Sequence, residues 1–123
     1  MKSAKVTVLM SVYNVERFLR EAIESILAQT MRDFEFIIID DGSTDATPKI
    51  LASYDDPRMR IVSQKNMGVS VSVNRGLETA RAELVARLDA DDIALPNRLE
   101  VQLEEYERLG KPDVLGSQVV FTK

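Results

Sequence analysis

Apolar and polar positions alternate between two periods along this chain, and the period predicts the element. Val6 to Val12 is a run of β-branched and apolar residues that reads as a strand. Asn14 is a suitable N-cap for the helix that follows it. There Phe18, Leu19, Ala22, Ile23, Ile26 and Leu27 recur at helical spacing, with Glu16, Arg17, Arg20, Glu21 and Glu24 opposite and an end near Thr30. Phe34 to Ile39 is nearly all apolar, as in a strand buried on both faces of a parallel sheet. Pro48 opens a short helix to about Tyr54, and Asp55-Asp56-Pro57 breaks it. Arg60 to Ser63 predicts a strand, and Val69 to Ala82 a helix, although Val69, Val71 and Val73 also alternate as a strand would. Leu84 to Leu88 is a strand, Pro96 starts a helix with Leu99, Leu103 and Tyr106 on one face and a stop at Gly110, and Val114 to Phe121 reads as a last strand.

This β-α-β-α-β-α-β-α-β order predicts an α/β fold: an open, mainly parallel sheet flanked by helices on both faces. In such sheets ligands bind beyond the carboxyl ends of the strands. The predicted strands end in Tyr13-Asn14, Asp40-Asp41-Gly42, Lys65-Asn66 and Asp89-Ala90-Asp91-Asp92, so polar groups converge on one edge. Neither repeat nor linker divides the 123 residues, which predicts a single domain.

Composition narrows the chemistry. The chain has no cysteine and no histidine, so disulfides, thiolate sites and imidazole ligands are excluded. A bound metal would be held by oxygen, which favours magnesium, manganese or calcium. The net charge of −4 comes without a basic stripe, so no nucleic-acid partner is expected. The longest apolar run, Phe36 to Ile39, is too short for a bilayer, and the N-terminus has no signal-peptide pattern. A cytoplasmic location is expected, with room for peripheral membrane contact.

Asp89, Asp91 and Asp92 place three carboxylates within four residues. Like charges this close repel by about 1 kcal/mol in water and more in a cleft. A divalent cation would relieve the repulsion, binding one or two carboxylates and completing its shell with water and phosphate. The plainer reading is a solvated turn with a helix cap. In the second cluster, Asp40 ends a buried strand, where a carboxylate needs a partner or a ligand. Asp40 could accept a hydrogen bond from a nucleobase N–H, and Asp41 could meet a ribose hydroxyl. There is no GxGxxG or GxxxxGK[ST] phosphate cradle. A calcium loop counted from Asp89 fails at Ile93 and at Ala94, where glycine is needed.

Taken together these segments resemble family 2 glycosyltransferases. The resemblance is carried by Val6-Thr7-Val8-Leu9-Met10-Ser11-Val12-Tyr13-Asn14, Ser25-Ile26-Leu27-Ala28-Gln29-Thr30, Asp40-Asp41-Gly42-Ser43-Thr44-Asp45, Asn66-Met67-Gly68, Asn74-Arg75-Gly76-Leu77, and Ala86-Arg87-Leu88-Asp89-Ala90-Asp91-Asp92 followed by Pro96 and Arg98-Leu99-Glu100. It implies the Rossmann-like half of a GT-A fold, a nucleotide-diphosphate sugar donor, most commonly a UDP-sugar, and a Mn2+ or Mg2+ cofactor. By position, the backbone of Ser11, Val12 and Tyr13 and the side chain of Asp40 would hold the base. Asp89 would face the ribose or nucleotide across Ala90, and Asp91 would bind the metal; Asn66, Gly68 and Asn74 match the central donor-binding segment. Val73 stands where the family often has arginine, which leaves open whether Arg75 replaces it. The resemblance further implies an inverting enzyme that transfers sugar to a sugar or lipid-linked acceptor in surface polysaccharide synthesis. Its catalytic base would lie beyond the metal segment, so these residues alone are expected to bind donor without efficient transfer. Two other classes fit less well. A haloacid-dehalogenase-type phosphatase carries its DxD on the first strand, not the fourth. A receiver-like regulatory domain needs acidic residues where Tyr13-Asn14 and Lys65-Asn66 stand.

Overall fold

A computed structural model describes residues 4–82, 84–90, 94, 96–108, 114–115 and 119–121. The chain forms β1 (Val6–Val12), α1 (Leu19–Leu27), β2 (Phe34–Asp41), α2 (Thr47–Ala52), β3 (Met59–Gln64), α3 (Val69–Thr79), β4 (Leu84–Arg87), α4 (Arg98–Arg108), β5 (Val114–Leu115) and β6 (Val119–Phe121). The strands lie in the order β3-β2-β1-β4-β6-β5. The first four are mutually parallel, β6 is antiparallel to β4, and β5 is antiparallel to β6. The sheet is therefore mainly parallel, as expected. The last predicted strand is corrected: Val114 to Phe121 contributes two short antiparallel strands, not one. In the sequence Gly116-Ser117-Gln118 interrupts the apolar run with turn-forming residues.

The period-2 alternation of the strands sorts side chains onto two unlike faces. On one face Val6, Val8, Met10 and Val12 of β1 and Phe36 and Ile38 of β2 pack against α1, α2 and α4 through Leu19, Ile23, Ile26, Leu51 and Leu99. On the other, Leu9, Ile37, Ile39 and Val85 meet Ala80 and the half-buried Val73 and Leu77 of α3. The helical stripe explains why Val69–Thr79 is a helix despite its alternating valines. Ser72 and Gly76 are the residues α3 buries, while Val69 and Val71 remain exposed. A Cβ on Gly76 would run into the side chain of Leu9, so the helix lies close on the sheet because this position has no side chain.

One local expectation fails. Asn14 does not cap α1, which starts at Leu19 behind Phe18 without a side-chain cap. Instead Asn14 adopts φ +50°, which asparagine tolerates, and turns toward the loop after β2. Its Oδ1 accepts the N–H groups of Thr44 (2.7 Å) and Asp45 (3.2 Å), and its own N–H donates to Ser43 Oγ (2.9 Å). These bonds tie the carboxyl ends of β1 and β2 into one rim.

Candidate functional site

The chain leaves β1 for β2 and β3 on one side, crosses the opposite face through α3, and returns to β4 on the other side of β1. β1 is thus the strand at which connections diverge, and the crevice at its carboxyl end is where open α/β sheets bind ligands. A cleft of about 410 Å³ lies at that end, lined by Ser11, Tyr13, Asn14, Val15, Phe18, Asp41, Val69, Asp89 and Ala90. Its walls are mixed: two half-exposed rings, Tyr13 and Phe18, face a wall carrying two carboxylates.

The residues singled out from the sequence separate into groups. Ser11, Tyr13, Asp41, Asp89 and Ala90 line the cleft. Val12 is buried in the core toward α1, so only its backbone belongs to the rim. Asp40 is buried, is not among the lining residues, and its Oδ1 accepts the Ser43 N–H at 3.1 Å, bracing the turn. Asn66 stands behind Asp41, donating through Nδ2 to its carbonyl oxygen at 3.1 Å. Gly68 precedes α3 with φ +99°, a conformation that favours glycine, and offers its N–H to Asp41. Asn74 is exposed on α3 and does not line the cleft. Asp91 and Asp92 lie outside the described residues.

Asp41 is the most constrained group of the site. Strand register sets it beside Gln64, and both project toward α3. Its Oδ1 accepts Gln64 Nε2 and the Met67 N–H, each at 2.8 Å, and its Oδ2 accepts the Gly68 N–H at 3.0 Å. Burial opposes ionisation, but the hydrogen bonds, led by Gln64, prevail and hold the pKa below the ordinary aspartate value. A carboxylate has about four acceptor positions; Gln64, Met67 and Gly68 fill three of them, and the Ser72 hydroxyl beside it also favours the ionised form. Gly42 makes the arrangement possible: it has φ +76°, and a Cβ there would lie 2.5 Å from the Asn66 backbone nitrogen.

Among the described residues no group of three or more acidic, histidine or cysteine side chains surrounds a metal-sized space. The donor chemistry nevertheless suits a hard cation. The chain offers only oxygen ligands, and the exposed Asp89 carboxylate stands on the cleft wall at the end of β4.

The sequence matches Glycosyl transferase family 2 over residues 7–123, nearly the whole chain. The chain belongs to this family. The Bacillus subtilis protein "Putative glycosyltransferase EpsE" is 40% identical over 117 residues, covering 92% of this chain and 42% of its own. "Chondroitin synthase" of Escherichia coli is 36% identical over 105 residues, 84% of this chain and 15% of that protein. Crystallised S. aureus TarS in complex with UDP-GlcNAc superposes with a TM-score of 0.78 at 27% identity, over 85% of this chain and 31% of that one. The mannosyltransferase PcManGT of Pyrobaculum calidifontis, in complex with GDP-Man and Mn2+, gives 0.74 at 26% identity, over 93% and 34%. The chain therefore spans less than half the length of these relatives, and the fold is that of GT-A glycosyltransferases.

The structure of this family 2 domain also shows what Ser25 and Gln29 do, which sequence reading used only as resemblance. Ser25 Oγ accepts the Ala94 N–H at 3.1 Å, and Gln29 Oε1 accepts the Leu99 N–H at 3.0 Å. The Thr30 N–H donates to the Pro96 carbonyl at 2.7 Å. Gln29 is buried, and it satisfies a donor in the first turn of α4 that no intrahelical carbonyl can reach. The end of α1 thereby anchors the chain that follows Asp89-Ala90-Asp91-Asp92. A glutamine that continues the apolar spacing of Leu19, Ala22 and Ile26 just past the end of α1 is the sequence signal that could have shown it.

Proposed function

We propose that this domain binds the nucleotide part of a nucleotide-diphosphate sugar, with UDP-sugars the first candidates, in the cleft beyond β1 and β4. The observation that carries the reading is the convergence of Ser11, Tyr13, Asp41 and Asp89 on that single cleft at the point where the strand connections diverge. The ligands named for the TarS and PcManGT structures, UDP-GlcNAc and GDP-Man, support it.

In this reading the residues have distinct tasks. Ser11 and Tyr13 offer backbone and ring to the base. Asp41, not the turned-away Asp40, presents the carboxylate acceptor for the nucleoside. Asp89 faces the ribose and phosphates, and Asp91, by the family resemblance, takes a Mn2+ or Mg2+ ion. When bound, such an ion stabilises charge on the departing diphosphate. Transfer to an acceptor hydroxyl, with inversion at the sugar, in polysaccharide or glycoconjugate synthesis is proposed for the whole protein.

Calorimetric titration with UDP, GDP and CDP, each with and without MnCl2, tests the reading. Saturable binding of a nucleoside diphosphate that weakens on adding EDTA is expected. Asp41→Asn should weaken it by about tenfold, the size expected for a hydrogen bond to a charged acceptor. No binding to any of the three, by a folded protein, would remove the proposal.

A further inference from the structure

Behind the cleft-lining carboxylate is a polar relay that none of the roles above uses. Gln64 is the last residue of β3, in register with Asp41. Its Nε2 donates to Asp41 Oδ1 at 2.8 Å and to Ser72 Oγ at 3.1 Å, and its Oε1 accepts from Arg75 Nη1 at 3.2 Å. The amide has only one consistent orientation. A carboxylate accepts and never donates, and a guanidinium donates and never accepts, so the nitrogen must face Asp41 and the oxygen Arg75. Ser72 is fully buried and sends its own proton to the Gly68 carbonyl at 3.0 Å, leaving its oxygen to accept from Gln64. Every group in the chain from Arg75 through Gln64 to Asp41 therefore has a fixed donor–acceptor sense.

We propose that Gln64, oriented by Arg75, is a positioning residue that fixes the rotation of Asp41, so that this carboxylate, on the cleft wall, meets a ring N–H of the nucleobase. This rests on the donor-binding reading above and adds the kind of base to it. A base with an imide-type N–H edge, uracil or guanine, satisfies a carboxylate held in this way. Cytosine places a bare acceptor nitrogen at the corresponding ring position and leaves both groups unpaired, which is the source of the discrimination. The relay also answers the question raised by Val73: Arg75 is engaged with the base-side network.

The test compares UDP and CDP binding to the protein and to Gln64→Leu by calorimetry at neutral pH, and follows UDP binding from about pH 3 to 8, where a carboxylate titrates. Gln64→Leu should lose about tenfold in UDP affinity, little in CDP affinity, and its UDP binding should fail at a higher pH than the parent's. The pH readout isolates Asp41. Among the described residues, the charged groups next to it in sequence, in the relay or on the cleft are Asp40 on β2, Lys65 after β3, Arg75 on α3 and Asp89 beyond β4; the substitution replaces none of them, and the Arg75 variants control for the bond that Arg75 loses. Arg75→Met, on an exposed helix face, should show the same pattern at about twofold to threefold, and Arg75→Lys should restore most of it. The Arg75 variants carry the test if Gln64→Leu does not fold. Equal weakening of UDP and CDP with an unmoved pH profile would reduce Gln64 to a loop support and overturn the proposal. Unchanged UDP binding in these variants would overturn it too, while leaving the donor-binding reading intact. A parent protein that binds neither nucleotide would remove both.

Discussion

Asp40 and Asp41 are adjacent in sequence and equally buried, yet they sit on opposite faces of the sheet and do different work. Asp40 shares the face packed by α1, α2 and α4, where apolar side chains fill the space and its carboxylate accepts the Ser43 N–H to brace a turn. Asp41 shares the face covered by α3, where Ser72 and Gly76 replace large side chains and polar groups reach under the helix. The first face holds the larger apolar cluster. The second face gives up apolar burial for a network whose geometry is fixed by hydrogen bonds, and that network borders the cleft. Donor–acceptor directionality is what a binding site needs, and apolar packing cannot supply it.

Substitutions should separate the two faces. Ile23→Ala, in the fully buried contact of α1 with the sheet, should cost about 2–5 kcal/mol in chemical denaturation while leaving nucleotide affinity of the folded fraction unchanged. A parallel loss of affinity would deny the division of labour. Gly76→Ala pushes a methyl group into buried Leu9 and should cost about 1–3 kcal/mol, and because it lifts α3 it should weaken nucleotide binding as well.

Asp41→Asn should lower the melting temperature at neutral pH, with a sign that acid reveals. The folded state holds the Asp41 pKa below 3.8, so its contribution is complete above that value and is lost as the pH falls through the folded pKa. The difference between parent and variant should therefore shrink in strong acid, and a difference that grew would contradict the hydrogen-bond account. Asn14→Ala, which releases the turn after β2, should have the smallest effect, about 1 kcal/mol in the same denaturation measurement.

Much of this was legible in the sequence. Runs such as Phe36 to Ile39 announce a parallel strand, and the helical spacing of Leu19, Ile23 and Ile26 announces its covering helix, because burial on a periodic backbone imposes the period on the residues. The order of elements then fixed the edge where Tyr13, Asp41 and Asp89 would gather. Choosing between Asp40 and Asp41 was beyond it. Both are aspartates at a strand end, and alternation says only that they face opposite ways, not which face lies under α3 at the cleft. Asn14 misled for a related reason: an asparagine after a strand can cap the helix ahead of it or a turn brought near by the next strand, and only the pairing of β1 with β2 decides. The sequence by itself determined the layers, the edge and the chemical types of the residues there. The tertiary structure decided which donor meets which acceptor, because partners such as Gln64, Arg75 and Asp41 are joined by strand register and helix placement, and distance along the chain carries no record of either.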